Sequence, residues 1–175
     1  MRPSRSSSDL SERAWQLLIS FVSGAALALA YPDTNLHALG WVAIAGLMYC
    51  SLRAGLRLAA ACGLLFGLTH YVISLPWIYT VLREYGPLPA WQAGALLGLL
   101  SLTEAIFWAV YAVLLAWIAR RGERMALLAA PFLWVAMEFL RTLVPDIGFP
   151  WNLLGYTASN SLALLQIVSI TGIFG

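Results

Sequence analysis

The feature that most constrains this chain is a series of apolar runs, nearly free of charge, each about as long as a bilayer is thick. Of its 175 residues 61% are hydrophobic and only 10% are charged, against about 25% charged in a typical soluble domain. Inside hydrocarbon every backbone N–H and C=O needs an internal partner, so only helices and closed barrels span a membrane. Barrel strands are short and alternate in polarity, whereas these runs are long and continuous. The expected fold class is therefore all-α, a polytopic helical membrane bundle.

Proline, glycine and arginine punctuation divides the chain. Residues 1–12 are polar and Ser-rich and read as a disordered cytoplasmic tail before a transmembrane domain at 13–175. Five complete transmembrane helices are expected at about 14–30, 36–52, 55–75, 90–119 and 125–144, with the start of a sixth at 162–175. The first run ends in Ala28-Leu29-Ala30, so it reads either as an uncleaved first helix or as a signal peptide. Tyr31-Pro32-Asp33 stops it, Arg53 and Arg57 flank the second turn, and Pro76 ends or kinks the third span. Gly86-Pro87-Leu88-Pro89 precedes the fourth, Pro131 kinks the fifth and Pro145 stops it. Gly63 with Gly67, and Gly94 with Gly98, have the small-xxx-small spacing that permits close helix approach.

Every one of the ten basic residues is an arginine. With the N-terminus inside, Arg2, Arg5, Arg13, Arg53, Arg57, Arg120, Arg121 and Arg124 collect on the cytoplasmic side, leaving Arg83 and Arg141 for the other. That bias fixes the expected orientation. It also accounts for the arginines without a nucleic-acid partner, which a net charge of +2 does not call for. The loops after the first, third and fifth spans then face outward, and they carry Tyr31, Trp77, Tyr79, Tyr85, Trp91, Trp151 and Tyr156.

Few residues are equipped for chemistry. Cys50 and Cys62 lie within apolar runs and read as small packing residues. His37 and His70 are isolated from other metal-ligating types, so no metal or cofactor is expected; His70-Tyr71 reads as a hydrogen-bonded packing element. No nucleophile–base–orienter set can be assembled. The polar residues that stand out are Glu104 in the fourth span and, in the fifth, Trp134, Glu138 and Arg141. The last three fall at i, i+4 and i+7 and share one helix face. An ionised group near the bilayer centre costs at least about 2.5–3.5 kcal/mol, and pairing Glu138 with Arg141 across one turn offsets part of it. Such a pair either fixes packing or lines a site where Arg141 meets a phosphate or carboxylate bidentately. Glu104 is open between a packing role, with Arg141 as a possible partner, and a relay. The following stretch, Asp146 to Tyr156, contains Phe149, Pro150, Trp151, Asn152 and Gly155; it reads as a shaped re-entrant wall or as an interfacial aromatic anchor.

At this point the sequence resembles a known family. A-A-P-F-L-W-V-A-M-E-F-L-R (Ala129 to Arg141) and G-F-P-W-N-L-L-G-Y (Gly148 to Tyr156) resemble the bacterial apolipoprotein N-acyltransferases. Leu65 to Tyr79 and Gln166 to Gly175 are similar to further segments of that family, so the likeness covers essentially the whole chain. The resemblance implies an inner-membrane enzyme of eight spans with an extracytoplasmic nitrilase-like domain. That domain's Glu-Lys-Cys triad takes an acyl chain from a phospholipid onto Cys, then passes it to the N-terminal diacylglyceryl-cysteine of a lipoprotein. This chain has no Lys and cannot carry the triad, so by itself it is expected to be inactive, with no catalytic residue. What carries over is the membrane side: Phe149, Pro150, Trp151 and Tyr156 bordering a substrate site, with Glu138 and Arg141 supporting it. The implied partners are the phospholipid donor, the lipoprotein acceptor and the nitrilase domain. A small transporter or scaffold using Glu104 and the Glu138–Arg141 pair is the rival reading. A split enzyme with its nitrilase on a separate chain is a third.

Overall fold

The computed structural model describes residues 7–31, 34, 36–144, 148–159 and 161–174. Arg2, Arg5, Pro32, Asp33, Pro145, Asp146 and Gly175, to which the sequence assigned roles, lie outside the described residues. The helices are α1 (Ser7–Ala28), α2 (Leu39–Arg53), α3 (Leu56–Ser74), α4 (Pro76–Glu84), α5 (Ala90–Ala119), α6 (Glu123–Leu143) and α7 (Leu162–Thr171). A short 3₁₀ helix, Leu154–Ala158, precedes α7. Among the described residues there is no strand, so the all-α expectation holds.

Three of these helices, α3, α5 and α6, are both long and apolar enough to cross a membrane. At 1.5 Å per residue, the 30 residues of α5 extend about 45 Å, beyond a hydrocarbon core of about 30 Å, so α5 tilts or protrudes. α1 and α2, where two further complete spans were expected, are not among these three. α2 has 15 residues, or about 22 Å. α1 is long enough at 22 residues, but Ser, Gln and charged residues dilute its apolar sequence. It also begins at Ser7, inside the stretch read as a disordered tail; Asp9 in its first turn complements the positive end of the helix dipole.

Two further elements depart from the sequence reading. Pro76 does end α3, but it also occupies the first turn of α4, where its missing N–H is no loss and its fixed φ suits a helix start. The Trp77–Tyr79 aromatics therefore sit on a short helix packed on α5. Pro131 lies within a continuous α6.

The bundle is built around α3, which packs against α1 and α5, while α2 joins α1 and α6 joins α5. Membrane helices gain little from apolar burial against lipid and rely on close backbone approach and van der Waals contact. Gly67 shows how: a Cβ there would lie 2.6 Å from Trp108 Cδ1 and 2.7 Å from the Ala105 Cα. Gly63 likewise abuts the Trp108 carbonyl. Gly94 and Gly98, which have the same spacing, do not serve this purpose, because a Cβ at either would meet nothing within 4 Å. The space that the α3 glycines leave is taken by rings. Trp108 and Trp134 stand 4.3 Å apart, with Tyr111 5.4 Å and Phe66 6.3 Å from Trp134.

Candidate functional site

Trp134, Glu138 and Arg141 do share one face of α6, and all three are buried. The face carries a polar knot at the end of the bundle where α1, α3 and α6 terminate. Its centre is Arg141, whose side chain is fully buried. Arg141 Nη1 donates to Glu104 Oε2 at 3.0 Å and to the Phe149 carbonyl at 2.9 Å. Nη2 donates to the carbonyls of Trp151 at 2.7 Å and Asn152 at 2.9 Å. The return bond runs from the Phe149 N–H to the Arg141 carbonyl, 3.2 Å. The guanidinium also lies 5.7 Å from the Tyr71 ring centroid.

These contacts redistribute the expected pairing. The ion pair joins Arg141 to Glu104 on α5, not to Glu138 one turn away. Glu138 Oε1 instead accepts the Leu154 N–H at 2.7 Å. Each buried charge is thus matched to a group from a different segment, as buried charges must be to offset their desolvation. Both Nη atoms of Arg141 are spoken for, so it offers no free fork to a phosphate. Glu104, whose role the sequence left open, is the counter-charge of the knot.

Arg141 and Glu138 together hold the loop that follows α6. Non-helical backbone is tolerated at membrane depth only where protein or water satisfies it, and here the carbonyls of 149, 151 and 152 point at one guanidinium. Asn152 takes a positive φ of 57°, a conformation Asn tolerates better than most residues. Its side chain Nδ2 donates to Ser74 Oγ at 2.6 Å, and its carbonyl also accepts the Tyr31 hydroxyl at 2.7 Å. The loop is therefore tied to α6, through Arg141 to Glu104 of α5, to the end of α3, and to Tyr31, three residues past the end of α1. Burial, and then the Glu138 charge, push the Tyr31 pKa well above the usual phenol value, so its hydroxyl stays protonated and remains a donor.

On this tied loop Phe149 is buried, while Pro150, Trp151 and Tyr156 are exposed. Trp151 lies 5.3 Å from Phe149 and 6.2 Å from Trp77 of α4, forming an aromatic ledge. His70 is fully buried between Tyr31 and Tyr71, with ring centroids 5.6 and 4.6 Å away. Neither of its nitrogens has a hydrogen-bond partner among the described residues. It is a packing element, but held by ring contact and not by the expected hydrogen bond.

Next to the loop lies a mainly apolar cavity of about 640 Å³. Its walls include Trp41, Ile44 and Met48 of α2, Trp134 and Glu138 of α6, and Leu154 of the 3₁₀ helix. Glu138 is the one predicted site residue that lines it; Trp151, Pro150 and Tyr156 do not. The α2 wall was missed by the sequence reading. Trp41, Ile44 and Met48 lie in an apolar run and carry nothing that sets them apart from ordinary span residues. No group of three or more potential metal ligands occurs among the described residues.

Residues 23–175 match the family model described as the apolipoprotein N-acyltransferase N-terminal domain. A curated relative from Geobacter metallireducens, named apolipoprotein N-acyltransferase, is 38% identical over 161 residues, covering 90% of this chain and 30% of its own length. Proteins of the same name from Brucella melitensis and Thermotoga maritima are 34% and 29% identical, covering 90% and 94% of this chain. The chain spans 30%, 31% and 34% of the length of these three relatives.

Proposed function

Because the chain belongs to the apolipoprotein N-acyltransferase family, matching its N-terminal domain, we propose that it forms the membrane-embedded wall of that enzyme's lipid substrate site. The reaction concerned moves an acyl chain from a phospholipid, through a Cys thioester, to the amine of a lipoprotein's N-terminal diacylglyceryl-cysteine. The thiol chemistry belongs to a nitrilase-like domain outside residues 1–175. Cys50 and Cys62 are both buried and take no part in it, and the chain alone is inactive. The membrane is the bacterial inner membrane, with the N-terminus cytoplasmic.

The observation that carries this reading is the clamped loop. Arg141 fixes three carbonyl acceptors of the loop, those of Phe149, Trp151 and Asn152, and the same stretch continues into Leu154, which lines the mainly apolar cavity. The cavity volume lies within the range of about 300–1,000 Å³ usual for small-molecule sites. Positioning a substrate requires a rigid wall, because a displacement of about 1 Å can lose about 100-fold in rate. The arginines support the orientation: Arg13, Arg53, Arg57, Arg120, Arg121 and Arg124 gather at the bundle end opposite the loop. The transporter reading is less well supported, since Glu104 and Arg141 are fully buried and engaged with each other.

The test is photocrosslinking with a phosphatidylethanolamine carrying a diazirine in one acyl chain. Adducts are expected on Trp41, Met48 or Leu154 of the cavity. Adducts confined to the lipid-facing Gly94–Gly98 surface of α5 would contradict the proposal.

A further inference from the structure

The walls of the cavity beside the clamped loop hold one carboxylate, Glu138, and no arginine. Glu138 is 3% exposed, and its Oε1 accepts the Leu154 N–H. Its second oxygen, Oε2, makes no hydrogen bond among the described residues, yet it is not one of the polar atoms sealed inside the protein. Oε2 therefore faces open space, and the open space beside Glu138 is this cavity. Arg141 is spent on Glu104. Among the described residues no cation, His37 of the same lining included, lies within ion-pairing distance of Glu138. A carboxylate taken out of water is costly unless a cation and hydrogen bonds complete it. Half of this one is completed, and the other half points into the cavity.

The walls around it suit a cation. Trp41 of α2, Tyr111 of α5, and Phe132 and Trp134 of α6 all line the cavity, and aromatic faces attract ammonium groups. Further from the loop the lining turns to Ile44 and Met48 of α2 and to Ala130, Pro131 and Val135 of α6. Along α6 it runs from Glu138 back to Ala130, about 12 Å at 1.5 Å per residue. The polar head of the cavity thus lies at its loop end, with a hydrocarbon trough leading away from it.

Resting on the lipid-site reading above, we propose that this cavity selects amphiphiles carrying a free amine. The ammonium sits on Glu138 Oε2 among the rings, and an acyl chain lies between α2 and α6. Glu138 is then the residue that reads the head of the substrate, while Arg141 only positions the loop. With no arginine on the walls, a phosphate finds no partner there, and the carboxylate repels an anionic headgroup. A free amine occurs both on an ethanolamine phospholipid and on the N-terminal cysteine of a diacylglyceryl peptide, and the ammonium is their shared chemistry.

The purified chain in detergent is irradiated with a phosphatidylethanolamine carrying a diazirine in one acyl chain, and separately with the same lipid N-acetylated at its amine. Adducts on Trp41, Met48 and Leu154 are quantified by mass spectrometry. The free-amine lipid is expected to label them at least about tenfold more than the capped lipid, the discrimination that one charge-assisted hydrogen bond gives. Glu138→Gln, which keeps an oxygen for the Leu154 N–H, should bring the free-amine lipid down to the capped level. A competing diacylglyceryl-cysteinyl peptide identifies the source of the amine. Competition by the free peptide and not by its N-acetylated form means that the lipopeptide amine is accepted too; no competition by either assigns the cavity to the phospholipid amine. Equal competition by both peptides would overturn the proposal. Equal labelling by the two lipids would overturn amine selection while leaving the lipid site standing. A preference that persists in Glu138→Gln would overturn the role of Glu138, and no cavity adducts from either lipid would overturn the lipid site as well. The two-lipid comparison on the parent chain stands even if Glu138→Gln fails to fold.

Discussion

Replacing Arg141 with Ala removes the donor to four acceptors, of which only the Asn152 carbonyl keeps a partner among the described residues, the Tyr31 hydroxyl. Glu104 would be left as a buried carboxylate with neither oxygen partnered, since its Oε1 already lacks one among the described residues. Breaking a buried ion pair by removing one partner costs about 3–5 kcal/mol. The carbonyls of Phe149, Trp151 and Asn152 would also lose charge-assisted bonds worth about 1.5–3 kcal/mol each. These terms share one donor and do not add, so the ion-pair figure is the safer lower estimate. For a chain of this size a loss of 3 kcal/mol lowers the melting temperature by about 6–12 °C. The purified chain in detergent, melted while intrinsic tryptophan fluorescence is followed, reads this directly. Hydrogen exchange adds locality: backbone amides at 149–154 should lose protection in the variant while those of α3 and α5 keep theirs. Arg141→Lys should recover less than half of the loss, because a single ammonium cannot span acceptors arranged around a planar fork. A melting temperature for Arg141→Ala within about 2 °C of the parent, below the shift that 1 kcal/mol gives in a chain of this size, with loop protection unchanged, would refute the clamp.

Other substitutions test the parts separately. Gly67→Val should destabilise strongly in the same melt, since its Cβ would fall within 2.6 Å of Trp108 Cδ1 and 2.7 Å of the Ala105 backbone. Gly98→Ala should be neutral or stabilising by up to about 1 kcal/mol, from helix propensity alone. Asn152→Val should cost about 1–2 kcal/mol for the left-handed backbone, and more for the lost Ser74 contact, whereas Asn152→Gly should lose only the latter; paired melts separate the two. Tyr31→Phe should cost about 0.5–1.5 kcal/mol, with the loop amides again reporting by exchange.

Much of the fold was legible because hydrophobic runs and arginine clusters are coarse signals that tertiary packing seldom overrides. The fourth span was read at 90–119 and α5 occupies the same residues. What was missed turned on partners that sequence does not display. The Glu138–Arg141 pair looked natural at i, i+3, with Glu104 only a possible partner, and the guanidinium took Glu104, 37 residues away, because helix adjacency brings α5 against α6. The carbonyls that complete its coordination belong to backbone and leave no trace in residue type. Gly94 and Gly98 matched the spacing of Gly63 and Gly67, but only the latter pair faces another helix, and spacing alone does not say which face is turned inward. Pro76 was read as a stop because one residue both ends α3 and begins α4. Trp151 and Glu138, by contrast, stood out early, since aromatic and charged groups in an apolar chain are conspicuous wherever they lie.

The account rests on residues 1–175 supplying a rigid wall for acyl transfer, and one chimera tests it. In the Geobacter metallireducens relative, residues 1–175 replace the matching segment, and transfer from phosphatidylethanolamine to a diacylglyceryl peptide is measured with and without Trp151→Ala. The account predicts an active chimera whose turnover falls at least about tenfold on Trp151→Ala, with membrane insertion and melting temperature unchanged. Turnover unaltered by that substitution would contradict it.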